Sequence, residues 1–472
     1  MSGSMGVMIG LEVHCQLNTE SKLFCGDSSD HRGKGPNECT CPVCLGYPGS
    51  KPVINKKAIE HGMRIALALN CKIADEMFFS RKTYFYPDMS KNYQITQYEI
   101  PLCSNGFLTV GELRVRIRRV HIEEDPARLQ HVGGDITNAE YTLIDYNRSG
   151  IALAEIVTEP DFATPKQARQ FLDTLLSILE HLGVYDSSKE ATIRCDANIS
   201  LDGGERVEVK NITGFENVEK ALNFEIIRQN GMKRMEVAVQ RETRHFDAEA
   251  GNTKSLRKKE YEEDYGYIFD PDLPTIKVTD DWLASIKEAQ PELPDQRVLR
   301  FMRDYKIDEY DAHVLVYTDK NLADFYEQCC KKYRKPEMAA KWIMNYLLKS
   351  LNWRGERIKN SKVKADSFIE FLQLIEGGKI TERFAKELIK EYVDTGEPPS
   401  RLASKSVGDL SDSDLDVVVE KVLQENGKAA SEFKSGKEEA LKFLIGRALV
   451  ATQKRADPNK LREILLKHLM PR

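Results

Sequence analysis

The sequence predicts an α+β protein: a large, mainly antiparallel sheet domain, followed by an all-helical domain and a small helical tail. Three observations carry this. Strand-like alternation with glycine-rich turns runs to about residue 280, and the stretch from about 294 to 400 is nearly continuous helical periodicity. A Gly396-Glu397-Pro398-Pro399 segment then precedes a last helical stretch. The expected domains are 1–293, 294–405 and 406–472.

The first element is a strand, VMIGLEVHCQL, over Val7–Leu17. Side chains alternate across a strand with period two, so Val7, Ile9, Leu11, Val13, Cys15 and Leu17 make an apolar face. The other face carries Glu12, His14 and Gln16 in consecutive slots behind Gly10, which suits either a half-exposed edge or a chemical wall. From 111 to 125, Leu113, Val115 and Ile117 alternate with Arg114, Arg116 and Arg118, a second strand. Residues 141–160 read as two extended runs joined at Asn147-Arg148-Ser149-Gly150, a hairpin-type turn. An amphipathic helix is expected over 165–183, opened by Pro165 and closed by Gly183. Strands return at 192–201 and 206–212. Five helical segments follow between 294 and 400, the last opening at Thr381 and ending at Gly396. The Gly-Pro segment through Ser404 reads as a linker. Between Lys442 and Arg472 the tail has eight Lys/Arg against two Asp/Glu, which suits a solvated helix face or a phosphate-backbone contact.

Composition bounds the function. With 472 residues, 41% hydrophobic and 30% charged, the chain has the makeup of a soluble globular protein of two to four domains. A net charge of −5 gives no global sign of a nucleic-acid partner, so any such surface is local. No run approaches the roughly 18 apolar residues of a membrane span. Ser2–Ser4 read as a disordered lead-in, and Glu12 comes too early for a signal peptide. Ten unevenly spread cysteines fit reduced thiols in the cytoplasm.

Three groups carry chemistry. First, Glu123, Glu124 and Asp125 end the arginine-faced strand, while Glu155 sits among Ile151, Leu153 and Val157. A buried, unpaired carboxylate costs several kcal/mol, so Glu155 needs either an arginine or a cation shared with His14 and another acid. Mg²⁺ suits carboxylate oxygens and keeps positions open for phosphates. Second, RKTYFYPDMSKNYQITQ (81–97) offers Arg81, Lys82 and Lys91 to phosphates and Tyr84, Phe85, Tyr86 and Tyr93 for stacking, although aromatic stripes also build cores. Basic residues and tyrosines mix again over 253–274, but no P-loop and no dinucleotide-binding glycine motif is present. Third, Cys25, Cys39, Cys41 and Cys44 have the spacing of a tetrahedral Zn²⁺ knuckle, with buried thiols as the alternative.

Taken in order, GLEVHCQL, SKLFC, CPVCLGYPGSKPVINKKA, RKTYFYPDMSKNYQITQYE, HIEEDPAR, DYNRSGIALAEIVTEPDF, IRCDANIS, VEVKNI and QRETRHFD resemble one family over almost the whole chain. It is the B subunit of the tRNA-dependent amidotransferase that makes Asn-tRNA(Asn) and Gln-tRNA(Gln) from misacylated precursors. The resemblance implies a cradle domain that phosphorylates the aspartyl or glutamyl carboxylate with ATP and Mg²⁺ and then aminates it. It also implies a YqeY-like tail on tRNA, and a heterotrimer with an amidase (A) subunit supplying ammonia and a small C subunit. By motif, His14, Glu124 and Glu155 would bind Mg²⁺ beside Glu12, and Lys82, Lys91, Glu124 and Asp196 would line the ammonia route. Arg81, Lys82, Tyr84 and Lys210 would contact ATP. Nothing here resembles a Ser-Ser-Lys amidase. Many relatives carry Cys-x-Cys after SKLF, whereas this chain has Cys25-Gly26-Asp27, with Cys39 as the expected substitute. The E-type subunit, specific for Glu-tRNA(Gln), carries an inserted domain that has no counterpart between 274 and 294. A catalytically silent tRNA-binding scaffold and a metal-dependent phosphohydrolase are the competing readings.

Overall fold

The computed structural model describes residues 6–133, 139–186, 193–258, 266–406, 412–452, 456 and 458–470. The lead-in Ser2–Ser4, part of the basic, tyrosine-rich stretch (259–265), and Lys454, Arg455 and Arg472 of the basic tail lie outside them. The chain forms two compact units, Met1–Pro294 and Asp295–Arg472.

The first unit begins with β1 (Val7–Gln16), helix α1 (Lys56–Ala68), β2 (Lys72–Ile73), β3 (Glu76–Met77), β4 (Ser80–Thr83), β5 (Tyr93–Thr96), β6 (Cys103–Val110) and β7 (Leu113–Glu124). It continues through β8 (Arg128–Val132), β9 (Tyr141–Asp145), β10 (Ala152–Thr158), α2 (Pro165–His181), β11 (Ile193–Leu201), β12 (Val207–Ile212) and α3 (Phe215–Arg234). Last come β13 (Glu242–Asp247), β14 (Asn252–Lys258), β15 (Gly266–Phe269), β16 (Ile276–Lys277) and α4 (Asp280–Glu288). Nine strands build one sheet in the order β14-β13-β12-β11-β1-β10-β7-β6-β2, antiparallel except for the β12–β13 pair. The fold is thus α+β with β1 near the middle of a mainly antiparallel sheet.

The apolar face of β1 is the core: Ile9, Val13 and Cys15 are fully buried. Helices α1, α2 and α3 cover that side through Met63, Phe171, Leu172 and Leu222. Helix α2 starts where the sequence sets it, because Thr164 and Gln167 form a reciprocal capping box ahead of Pro165. With helices on one side, the opposite face of the sheet is left for polar side chains.

Two local expectations are corrected. Residues 141–160 are not a hairpin. β9 pairs with β8 in a separate two-stranded ribbon, whereas β10 crosses into the large sheet between β1 and β7. The turn at Asn147–Gly150 changes sheets: the Ser149 and Ile151 amides close tight turns onto the Tyr146 and Arg148 carbonyls, while Asp145 and Asn147 hydrogen-bond to residues 35–39. The second concerns β7, whose alternation does not run straight through: opposite β10, Ile117 pairs with Thr158 and Arg119 with the adjacent Val157. That β-bulge leaves Arg118 as an extra residue and reverses which face the following side chains take.

In the second unit, α5 (Pro294–Tyr305), α6 (Glu309–Thr318), α7 (Lys320–Lys332), α8 (Pro336–Trp342), α9 (Leu348–Trp353), α10 (Ala365–Glu376) and α11 (Glu382–Thr395) pack around Phe301, Tyr326, Trp342 and Phe371. Thr381 caps α11, and Gly396 ends it with φ +70°. The expected linker through Ser404 is corrected here. Pro399–Ser406 is a further helix, α12, and its Leu402 and Ala403 are buried in the same core. Proline is well placed in a first helical turn, so Pro399 begins a helix rather than forbidding one. The final helices α13 (Asp412–Glu425), α14 (Gly427–Lys434), α15 (Glu438–Ala451) and α16 (Pro458–Leu469) enclose a core of their own around Val419, Leu444, Leu461 and Leu465. Among the described residues, no helix is long and apolar enough to cross a membrane.

Candidate active site

The polar face of β1 meets chemistry on both sides. Its register sets Glu12 opposite Asp196 of β11, and His14 opposite both Arg194 of β11 and Glu155 of β10. Glu155 in turn lies opposite His121, and Leu153 opposite Glu123. One strand further out, Asn198 faces Glu208. Residues directly opposite share a face, so five carboxylates and two imidazoles collect on one side of five adjacent strands. They floor a cavity of about 370 Å³, whose walls include Lys82, Tyr84, Gln94 and Tyr98 from the β4–β5 region and Tyr267 of β15.

Two groups of donors have metal-binding spacing. His14, Glu123 and Glu155 each offer one atom within 4.8 Å of the others, and so do Glu12, Asp196 and Glu208. His14 Nε2 is 3.4 Å from a Glu155 oxygen and 3.9 Å from one of Glu123. His121 Nε2 approaches the same pair at 3.1 and 3.6 Å. Lys210 donates to Asp196 at 3.2 Å and lies 3.4 Å from Glu208, while Asn198 donates to Glu12 at 2.9 Å. Burial disfavours a charged imidazole, yet the hydrogen bond and charge of Glu155, with Asp196 and Glu123, push His14 up to about 9. Burial likewise opposes His121, and Glu155 and Glu123 lift it to about 9. Burial would raise Glu155, but His121 and His14 hold it well below the carboxylate range. Glu12 moves the other way, raised by burial and by Glu155, Asp196 and Glu208. In the chain alone, protons on the two imidazoles therefore occupy the charge niche that a cation would fill.

Most sequence-selected residues are at this cavity: Glu12, His14, Lys82, Tyr84, Glu155, Asp196 and Lys210 line it. Three are not. Arg81 donates to Asp270 at 2.9 Å and to Asp272 at 3.0 Å, and stacks over Tyr93. Glu124 is not in the group with His14 and Glu155. It accepts from Lys91 at 2.6 Å on both oxygens and from the Ile95 amide at 2.8 Å, on the side of the sheet where Ala152 lies opposite. Glu123, one residue earlier, stands in the metal-capable group instead. Residues that sequence reasoning passed over include His121, Glu208 and Arg194. Arg194 is aimed across the cavity floor by Asp125, which accepts from it at 2.7 Å and from Gln16 at 2.6 Å. Glu208 was legible, since Glu208 and Lys210 share the polar side of VEVK.

The cysteines form a second cluster. Sγ atoms of Cys25, Cys41 and Cys44 lie with a carboxylate oxygen of Asp27 within 4.8 Å of one another. Cys44 Sγ is 3.2 Å from Asp27 Oδ2, accepts from the Cys41 amide at 3.2 Å, and has the fully buried Lys22 ammonium at 3.6 Å. Cys39, expected as the fourth ligand, is not part of this group. Its amide donates to Asn147 and its carbonyl accepts from Lys22, both at 2.7 Å.

Residues 7–284 match the model of the GatB/GatE catalytic domain, and residues 324–469 match that of the GatB domain. The chain is 44% identical over 470 residues to the B subunit of the aspartyl/glutamyl-tRNA(Asn/Gln) amidotransferase of Saccharolobus solfataricus, covering 98% of this chain and 99% of that one. It is 46% identical over 469 residues to the protein of the same name from Methanospirillum hungatei, with 97% of each chain covered. Against that of Thermotoga petrophila it is 44% identical over 476 residues, with 98% of each covered. The sheet face with its acids and imidazoles falls wholly within the catalytic-domain match, and the chain belongs to the GatB/GatE family.

Proposed function

We propose that this chain is the B subunit of a tRNA-dependent amidotransferase. It would phosphorylate the side-chain carboxylate of Asp-tRNA(Asn), Glu-tRNA(Gln) or both with ATP, then replace the phosphate with ammonia from a glutaminase partner. The observation that carries this reading is the row of His14, Glu155, Glu123, Glu12, Asp196 and Glu208 in register beneath one polar cavity. A free carboxylate is a poor electrophile, and converting it to an acyl phosphate requires neutralising charge on the transferred group. His14, Glu123 and Glu155 would hold Mg²⁺, with Glu12, Asp196 and Glu208 as a second cation position. When bound, Mg²⁺ supplies Lewis-acid stabilisation of phosphate oxygens. The chain's own cations complete the site. Arg194 and Lys210 are held by Asp125 and Asp196, and Arg119 has its Nε buried without a hydrogen-bond partner among the described residues. Lys82 and Tyr84, on the opposite wall, face the same volume.

We also assign the buried Lys91–Glu124 pair to the ammonia route rather than to Mg²⁺, and a structural Zn²⁺ to the cysteine cluster. The partners are an amidase A subunit, a small C subunit and the misacylated tRNA, with α13–α16 on the tRNA body. Near-complete coverage of B-type relatives supports this over an E-type subunit. The test is reconstitution of the chain with an amidase and a C subunit. ATP cleavage should require misacylated tRNA, whereas a phosphohydrolase would cleave without it and a silent scaffold would not cleave at all.

A further inference from the structure

We propose that the metal of the cysteine cluster is held by three thiolates and one carboxylate: Cys25, Cys41, Cys44 and Asp27. This rests on the zinc reading above and names its ligands. A tetrahedron with Zn–S of about 2.3 Å and Zn–O of about 2.1 Å has donor–donor edges of about 3.6–3.8 Å. The four donor atoms already approach that, with all separations within 4.8 Å and Cys44 Sγ 3.2 Å from Asp27 Oδ2. Asp27 reaches the cluster because its carbonyl accepts from the Lys22 amide at 2.9 Å, closing the loop of residues 22–27 that also carries Cys25. Cys39 is not among the four donors, and its backbone is anchored to Asn147 and to Lys22.

The surroundings fit an over-charged anionic centre. Three thiolates and a carboxylate exceed the charge of one Zn²⁺, and the Lys22 ammonium is fully buried beside Cys44 to offset the excess. The Cys41 amide points at the same sulfur, as hydrogen-bond donors around thiolate ligands do. An oxygen in place of a fourth sulfur makes the site harder and its metal easier to exchange than an all-thiolate knuckle.

The test uses the full-length chain purified in zinc-replete medium, its metal content, zinc affinity by chelator competition, and the cobalt-substituted spectrum. Wild type should carry about one zinc per chain. Asp27→Ala should weaken zinc at least tenfold. Asp27→Cys should keep the metal, and its thiolate-to-cobalt charge-transfer band should grow by about a third as three thiolates become four. Cys39→Ser should match wild type in every reading. Loss of zinc in Cys39→Ser, or unchanged affinity in Asp27→Ala, would overturn the ligand set alone. A zinc-free wild type would overturn the zinc reading itself. Asp27→Cys stays informative even if Asp27→Ala fails to fold, since an unchanged cobalt band also refutes the proposal.

Discussion

Lys91 and Glu124 form a closed pair: one ammonium stands 2.6 Å from both carboxylate oxygens, with the two side chains 9% and 3% exposed. The bulge at Arg118–Arg119 creates this pair by turning Glu124 away from the face that holds His14 and turning Glu123 toward it. Adjacent carboxylates on one strand therefore serve different partners. Glu123 is committed to imidazoles and the Thr96 hydroxyl, and Glu124 to a lysine and a backbone amide.

The two glutamates should consequently fail in different ways. Glu123→Gln removes a ligand charge from the His14–Glu155 group, so tRNA-dependent ATP cleavage should fall by about a hundredfold or more with little change in stability. Glu124→Gln leaves a buried ammonium half-compensated and should cost on the order of 3 kcal/mol of stability. It should spare metal-dependent phosphorylation far better. Thermal melts and ATP cleavage on the reconstituted complex check both. If Glu124→Gln abolishes ATP cleavage while Glu123→Gln spares it, the ligand assignment fails.

Gly46 should be intolerant of any side chain. It sits at φ +69°, and a Cβ there would lie 2.4 Å from Lys91 Cγ. Alanine must both strain the turn and push Lys91 off Glu124, a combined cost of roughly 1–3 kcal/mol. Gly49, also at positive φ (+84°), has nothing within 4 Å of the position a Cβ would take and serves as the control for strain alone. Gly46→Ala should lower both the melting temperature and amidation; Gly49→Ala should lower the first only.

Asp88 gives a pH dependence with a definite sign. Burial pushes its carboxyl from an ordinary 3.8 up to about 6, with Arg148 opposing, and Oδ1 has no hydrogen-bond partner among the described residues. The folded chain thus holds this proton more tightly than the unfolded chain. Its effect on stability is favourable at low pH and is lost as pH rises from about 4 to about 6. Asp88→Asn should therefore stabilise the chain at pH 7.5, by roughly 1 kcal/mol after allowing for solvent screening. The gain should disappear near pH 4. A variant less stable than wild type at pH 7.5 would show that the charge has a partner worth more than its desolvation.

How much of this was legible follows from where period two holds. Along β1 it holds without a break, so the polar face carrying Glu12 and His14 was legible from spacing alone. Lys210 on β12, where the register against β11 shifts, was reached only through the family resemblance. Along β7 the alternation breaks at an arginine pair that carries no glycine or proline to announce a bulge. Strict alternation from Leu113 assigns Glu124 to the polar side and His121 and Glu123 to the core, the reverse of what the fold does. Register between distant strands, which brings Asp196 opposite Glu12, has no local signature at all. The thiol cluster was half legible: cysteine spacing singled out Cys25, Cys41 and Cys44, but Asp27 looks like any turn residue until the chain closes.

The last helices should bind tRNA as a separable body. They enclose their own core, and α12, which belongs to the preceding core, sets where a cut must fall. Truncation after Ser406 should leave that core intact, whereas truncation before Leu402 should unfold it. The first variant should show a raised KM for tRNA and a flatter salt dependence, because phosphate contacts position a nucleic acid without supplying catalysis. Glutaminase activity of the complex should survive. An unchanged tRNA affinity would mean that these helices are structural.

His121 should matter through Glu155. Its Nε2 lies 3.1 Å from the carboxylate oxygen that His14 also approaches, so it fixes which oxygen Glu155 turns toward a cation. Removing such a partner of a metal ligand typically weakens metal binding about 10–100-fold. His121→Ala should therefore raise the Mg²⁺ concentration needed for half-maximal ATP cleavage by that factor, while saturating Mg²⁺ restores much of the rate. KM for tRNA should stay near wild type. His121→Gln, whose amide can still donate toward Glu155, should recover part of the Mg²⁺ affinity. A merely structural role would lower melting temperature in both variants without moving the Mg²⁺ requirement. If His121→Ala instead loses activity at every Mg²⁺ concentration, His121 touches the reacting groups directly.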